Sequence, residues 1–299
     1  MQSYYENDWR NLVDPIEAAE EALEIIKQRK AVAFIGSGIS RGYYPSWGES
    51  VVELCKACGI DPPGSIDIEN PEKLIKKAEE CKRQNEETYY HKLKELFGTE
   101  FNGIRNTYIL LLRLPFKAYI TTNFDPMLAT TWTYLTKKNK FYAYPNLPYR
   151  ELSNGQVFYI HGYIHGYIKE SCTQIKVVFA KSEFEEAYNN EQSLLPAFLQ
   201  QLFTYERVIF VGCRLGEPQL YRILEIIKNI KSQHFNQHHL QHYILLPEGE
   251  GNKEHYEKMG IKVIYYKKIN KKHIGLDKIL EGWCDLRPPI PFSSLEEIL

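Results

Sequence analysis

Apolar residues along the chain fall into two alternating kinds of run. Short, mostly apolar stretches at 31–35 (AVAFI), 117–121 (KAYIT), 157–160, 207–211, 242–246 and 262–266 read as strands. They lack the in–out alternation of a half-exposed strand, which is the pattern of strands covered on both faces. Between them the apolar positions recur at helical spacing. Such stretches lie at 14–29, where Ala18, Ala22, Ile25 and Ile26 share a face, and at about 46–58, opened by Ser46 and closed by Gly59. Further helices are predicted at 125–135, 182–188, 192–203, 218–230 and 254–259. Residues 71–113 are helical and charged with no convincing strand, so a small helical module is expected to be inserted at about 60–115. Strand, turn and helix in repetition predict an α/β fold, a Rossmann-like parallel sheet with helices on both faces. The motifs spread over the whole chain, so 1–299 is expected to form one domain with that insertion and a proline-led tail at 287–299.

Composition narrows the function classes. The chain carries 37 Lys and Arg against 38 Asp and Glu, which removes the bulk electrostatic argument for nucleic-acid binding, and direct nucleic-acid binding is not expected. Hydrophobic residues at 43% and charged residues at 25% describe a folded globular protein. No apolar run approaches the roughly 20 residues needed to cross a bilayer, so no membrane association is expected. The polar, aromatic start MQSYYENDWR does not read as an export signal. Together with six scattered cysteines (55, 58, 81, 172, 213 and 284), this makes a reducing cytoplasm the expected location. The lysine-rich stretch 262–273 and the histidine-rich stretch 234–242 read as solvated loops and strand ends rather than nucleic-acid or metal sites.

In parallel sheets, ligands lie beyond the carboxyl ends of the strands, so the residues that follow each strand are the candidates. After the first strand comes Gly36-Ser37-Gly38-Ile39-Ser40. Its two glycines would let the backbone approach an anion such as a diphosphate, although a plain tight turn is the competing reading. It is neither G-x-G-x-x-G nor a P-loop. After the second comes Thr122-Asn123-Phe124-Asp125, which either caps the next helix or orients a water or sugar hydroxyls. His161 follows the third strand, where a neutral imidazole could accept a proton, with His165 as a competitor in HGYIHG. Gly212, Cys213 and Arg214 follow the fourth; Cys213 has no adjacent histidine and reads as a turn residue near the ligand. Trp47 and Trp132 could each wall a pocket or fill the core.

Taken together, these segments resemble the sirtuin family. AFIGSGIS resembles its first nucleotide-binding turn, with Ser37 in place of the usual alanine. ITTNFD resembles its Thr-Gln-Asn-x-Asp segment, IHG its catalytic histidine, and VGCRLGEPQL its later strand and turn. YYPSWGESVVELCKACG looks like the variant in bacterial sirtuin-like proteins, where Pro-Ser-Trp opens the helix. The resemblance covers about 30–285 and implies NAD+ as substrate. It implies contacts from Gly36, Ser37, Gly38, Ser40, Thr122, Gly212, Cys213 and Arg214, and catalysis by Asn123, Asp125 and His161. Asn123 would position ribose hydroxyls or the attacking water, Asp125 would brace it or the nicotinamide pocket, and His161 would act as general base. Arg214 departs from the serine common in the family, which leaves the contact there open.

Protein-deacylating sirtuins carry two CxxC pairs after the histidine. Here only Cys172 lies in that region, and Cys55-x-x-Cys58 is one pair in a predicted helix, so no zinc is expected. The resemblance is then to the zinc-less sirtuin-like proteins of bacterial anti-phage systems, which hydrolyse NAD+. Those relatives imply a homo-oligomer, or a complex with a hexameric translocase-like ATPase or another defence protein, as the means of control. A protein deacylase and a catalytically silent nucleotide-binding scaffold are the alternatives.

Overall fold

The reason for the unbroken apolar runs is visible in the central strand. β1 (Val13–Asp14) lies at one edge, whereas β2 (Ala31–Ile35) is wholly buried in the middle of the sheet. Ala31, Ala33 and Ile35 enter one hydrophobic core and Val32 and Phe34 enter another. Alternate side chains of a strand point to opposite faces, so every residue of β2 has to be apolar. The same division holds in β3 (Ala118–Thr121), β5 (Gln156–Tyr159), β6 (Arg207–Val211), β7 (His242–Pro247) and β8 (Ile261–Tyr266). With β4 (Tyr142–Ala143) the sheet has eight strands in the order β1-β8-β7-β6-β2-β3-β5-β4. Only β1 on β8 is antiparallel. The computed structural model describes residues 8–65, 67, 69–99, 105–153, 155–165, 176–234, 240–269 and 273–285, with backbone only at 230–234 and 285.

Helices cover both faces, and the fold is α/β. The first core is closed by α1 (Ile16–Lys27), α2 (Trp47–Cys58), α3 (Pro71–Gln84), α4 (Glu86–Phe97), α5 (Asn106–Arg113), α6 (Met127–Thr136) and α11 (Ile274–Asp285). The second is closed by α7 (Lys181–Asn189), α8 (Leu195–Tyr205), α9 (Pro218–His234) and α10 (Lys253–Lys258). α2 begins and ends where its sequence signals place it. The Ser46 hydroxyl accepts from the Glu49 amide, Glu49 accepts from the Ser46 amide at 2.7 Å, and Gly59 closes the helix at φ +68°. Of the segment expected as an insertion, α3 and α4 pack on α2, while α5 packs on α6 and α11.

Three elements go beyond the sequence expectation. β1 and β4 are two residues long, too short for any periodicity, and Asp14 lies in β1 because Pro15 opens α1. α11 contains Gly275 and Gly282, which weaken its helical signal. A side chain at 282 would collide with Trp9, whose indole packs edge-on against Trp283 at 6.0 Å. Cys55, Cys58 and Cys81 are not scattered in space: all three are buried where α2 meets α3, with the Cys55 and Cys81 sulfurs 3.6 Å apart. Cys172, residues 235–239 of the histidine-rich stretch, 270–272 of the lysine-rich stretch and the 287–299 tail lie outside the described residues.

The strand order reverses at β2. The chain steps outward from β2 to β3 on one side, then returns to lay β6 against the other. That switch point opens a crevice between the carboxyl ends of β2 and β6, where parallel sheets bind ligands.

Candidate active site

Two adjoining cavities occupy this crevice. The larger, about 390 Å³, runs from the turn after β2 to the ends of β7 and β8 and is lined by Ser37, Gly38, Arg41, Arg105, Glu250 and Asp277 among others. The smaller, about 90 Å³, is walled by Tyr44, Trp47, Phe97, Phe124, Phe179 and Phe184 and floored by Asn123, Asp125 and His161. Ser37, Trp47, Thr122 and Glu217 line both and mark their junction.

The glycines of the first turn serve close packing between two post-strand turns. The Gly36 amide donates to Val211 O at 3.0 Å and the Gly38 amide to Gly212 O at 2.9 Å. These two amides are therefore committed within the protein, and of the three only the Ser37 amide has no backbone acceptor among the described residues. A Cβ on Gly38 would lie 2.7 Å from Gly212 O, so no other residue fits there without displacing the β6 turn. Gly212 itself sits at φ +68°, and Leu215, three residues on, is held at φ +50°, a left-handed conformation unusual for leucine. Arg105 donates to the carbonyls of Ile39 and Arg41 and so fastens the first turn from α5's N-terminal end.

A chain of hydrogen bonds fixes Asn123. Thr121 Oγ1 donates to Ile35 O at 2.8 Å and accepts from the Asn123 amide at 3.0 Å, which seats the turn after β3 over the end of β2. Ser40 Oγ donates to Asp125 Oδ2 at 2.9 Å, so Tyr108, 2.7 Å away, is the donor to Ser40. The Asn123 side-chain amide donates to Ser40 Oγ at 3.2 Å and to Gly36 O at 3.3 Å. Both of its hydrogens are thereby used, and its Oδ1, buried, has no partner. Asp125 does two things: Oδ2 accepts from Ser40, and Oδ1 accepts from the Met127 amide, the first of α6, at 3.1 Å. Burial pushes the Asp125 carboxyl up to about 6 against the help of those bonds.

His161 is buried at the end of β5 with Nε2 2.7 Å from Tyr188 OH and 3.6 Å from Glu217 Oε2. Burial lowers its pKa to about 3, so the ring is neutral at ordinary pH. Burial raises the Glu217 carboxyl to about 8, so the pair stands uncharged near neutrality. Burial also pushes the Tyr188 phenol well up and keeps it protonated. His165 lies outside both cavities, stacked on Tyr163 at 6.0 Å.

Of the other residues singled out in the sequence, Thr122 lines both cavities, while Cys213 and Arg214 line the larger one. Ser40 lines the smaller. Cys213 turns its sulfur toward Phe34 O, and burial raises its thiol pKa, so it is not a nucleophile. Arg214 is largely exposed and pairs with Glu250 at 2.8 Å. Trp47 walls the junction, whereas Trp132 is core, its indole donating to Gly155 O at 2.9 Å. Sequence reasoning gave no role to Tyr108, Arg105, Tyr188 or Glu217. Only Glu217 had a signal, its place after a strand-end glycine and before Pro218; the others reach the site from helices far away in the chain.

Three buried polar atoms without partners lie on residues of the small cavity: Trp47 Nε1, Asn123 Oδ1 and Glu217 Oε2. Buried polar groups are nearly always satisfied, so three unpaired polar atoms on residues around one cavity single it out as a candidate place for a polar ligand.

NAD(+) hydrolase ThsA of Enterococcus faecium is 25% identical over 226 residues, 72% of this chain and 44% of that protein, so the chain spans less than half the length of this relative. A structure described for the mechanism and regulation of Sir2 enzymes covers 91% of this chain and 99% of its own, at 15% identity and a TM-score of 0.44. A Sir2 homolog–NAD complex covers 89% of this chain and 94% of its own, at 11% identity and a TM-score of 0.46. A family model described as SIR2-like domain matches residues 117–272, more than half of the chain. That match takes in Asn123, Asp125, His161 and the 212–217 turn, and the chain accordingly belongs to the SIR2-like domain family.

Proposed function

We propose that the protein is an NAD+ hydrolase that cleaves the bond between nicotinamide and ribose. The observation that carries this reading is the set of unpaired polar atoms, Trp47 Nε1, Asn123 Oδ1 and Glu217 Oε2, on residues around an aromatic cavity joined to a larger polar cleft. A dinucleotide with a small pyridinium ring at one end and a larger adenosine at the other matches that division. Its adenosine and diphosphate would take the larger cleft, with Ser37, Thr122, Arg41 and Arg105 on its walls. The nicotinamide would enter between Trp47, Phe179 and Phe184, leaving its ribose at the junction. The 25% identity to the NAD(+) hydrolase ThsA supports the same reading.

The chemistry asks little of the enzyme. Nicotinamide leaves as a neutral molecule from a cationic linkage: the C–N pair stays on the ring nitrogen, and an oxocarbenium-like sugar accepts water. Asn123 presents a carbonyl oxygen, not its amide hydrogens, and so would hold a water or ribose hydroxyl by accepting from it. Neutral His161 would take the departing proton at Nε2, displacing the Tyr188 hydroxyl that is hydrogen-bonded there. Asp125 would act by holding Ser40 rather than by touching substrate. Assistance of this kind is worth about 10²–10⁴-fold.

Unrestrained NAD+ loss would be toxic, and control by a partner protein or by oligomer assembly, in anti-phage defence, completes the proposal. The test is to incubate purified protein with NAD+, alone and with the products of neighbouring genes, and to separate nicotinamide and ADP-ribose by chromatography. Stoichiometric release of both is expected, more with the activating partner. Release only when an acetylated peptide is added would instead make the protein a deacylase. No loss of NAD+ under any condition would make it a silent binding subunit.

A further inference from the structure

We infer that Glu217 is the counter-charge for the nicotinamide-ribosyl cation, so that the site selects the oxidised dinucleotide by charge. The inference rests on the NAD+ reading above. Glu217 lines both cavities and stands at the junction where the nicotinamide ribose would lie. Its Oε2 is enclosed and unpartnered. Among the described residues, its one ion-pair contact within 4 Å is His161 at 3.6 Å, and His161 is neutral. The other titratable groups facing it are the Tyr188 phenol from α7 and the Cys213 thiol from the β6 turn, and both stay protonated. Among the described residues no lysine or arginine is paired with it, so they supply an acid and leave its counterion to come from outside.

The position at the start of α9 has a bland alternative, a carboxylate beside the positive end of a helix. That role would leave the side chain free to face solvent. It does not explain why the oxygen is closed in beside His161 rather than hydrated.

Binding a permanent cation at the junction favours ionised Glu217, so the ligand drives one proton from the carboxyl to solvent. A neutral ligand does not. In the empty site burial holds the carboxyl at about 8, so between pH 6.5 and 8.5 the cationic ligand meets a rising fraction of carboxylate. The same device discriminates against the reduced dinucleotide, whose dihydronicotinamide carries no charge.

The experiment compares two ligands by calorimetry on the full chain. Carba-NAD+ keeps the pyridinium and is not hydrolysed; ADP-ribose lacks it. For the unaltered protein, carba-NAD+ affinity is expected to rise about tenfold or more from pH 6.5 to 8.5 with release of one proton, and ADP-ribose affinity to change less than about threefold. Glu217→Gln keeps the shape and removes the charge. It should flatten the carba-NAD+ profile and weaken binding about tenfold or more at pH 8.5, leaving ADP-ribose binding intact. A variant that binds carba-NAD+ as the unaltered protein does, or loses both ligands equally, overturns the assignment of Glu217 alone. Failure of the unaltered protein to bind either ligand overturns the NAD+ reading itself.

Discussion

At the scale of single residues, the site turns on which atom Asn123 offers. Its two amide hydrogens are spent on Ser40 Oγ and Gly36 O, so the unpaired carbonyl oxygen is the polar atom it has left to offer. Ser40 holds this arrangement by accepting from Asn123 and Tyr108 while donating to Asp125. Ser40→Ala keeps the fold but frees the amide to turn. The rate of nicotinamide release should fall about tenfold or more, mostly in kcat, because orientation is lost before binding is. Leaving Asp125 Oδ2 short of a donor should also cost about 1–3 kcal/mol of stability. Steady-state kinetics with a thermal melt checks both, and an unchanged kcat contradicts the role given to Ser40.

At the scale of elements, the site depends on helices that come from outside the sheet. Tyr188 reaches His161 from α7, and α7 is fastened by Glu183, a buried carboxylate at its first turn. Glu183 accepts from the Phe179 and Ala180 amides at 3.0 and 2.8 Å, from the Tyr89 and Tyr90 hydroxyls at 3.0 and 2.9 Å, and from Lys82 at 3.0 Å. Those donors stand on α3, on α4 and on the two residues that lead into α7, so one α7 side chain joins three helices. Glu183→Ala strands Lys82 and two buried phenols. It is expected to cost about 3–5 kcal/mol, read as a lowered denaturant midpoint; a loss below about 1 kcal/mol would show that α7 is held by its apolar face instead. These contacts explain what was legible in the sequence and what was not. The post-strand residues Ser37, Thr122, Asn123 and His161 could be found because strand ends leave a mark in the chain. Ser46 and Gly59 likewise announced the limits of α2. Tyr108 and Tyr188 could not be found, since a tyrosine on a helix looks like core until the helix is docked. The GSGIS glycines were visible, but their job was not: their amides are bonded to the β6 turn, a partner 175 or so residues away that only the parallel pairing of β2 and β6 brings near.

At the scale of the molecule, the two cores on either side of the sheet leave the crevice as the one place, among the described residues, where carboxyls (Asp125 and Glu217) are enclosed without a charged partner. That has a stability consequence. A carboxyl whose ionisation the fold opposes contributes fully below its unfolded pKa and loses that contribution as the pH rises through its folded one. For Asp125 this window runs from the ordinary value of 3.8 to about 6, and for Glu217 from 4.5 to about 8. His161 works the other way, its pKa lowered from 6.5 to about 3, so it removes stability as the pH falls below 6.5. Between pH 6.5 and 8, Glu217 is therefore the group that acts. The ligand-free melting temperature should decline across that interval, and Glu217→Gln should level it; a variant that declines in parallel with the unaltered protein contradicts the buried-acid account. The parallel sheet was readable from the pattern of strands and turns, and the family from the resemblance of the post-strand motifs, whereas this charge economy was not, because burial is a property of the packed whole. The most direct measurement of the central claim is the fate of NAD+ in water enriched in oxygen-18, with the protein alone and with the products of neighbouring genes. The account predicts free nicotinamide and ADP-ribose carrying one labelled oxygen from the unaltered protein, and neither product from a folded Asn123→Ala variant. Intact NAD+ after incubation with the unaltered protein, or equal turnover by the variant, would contradict it.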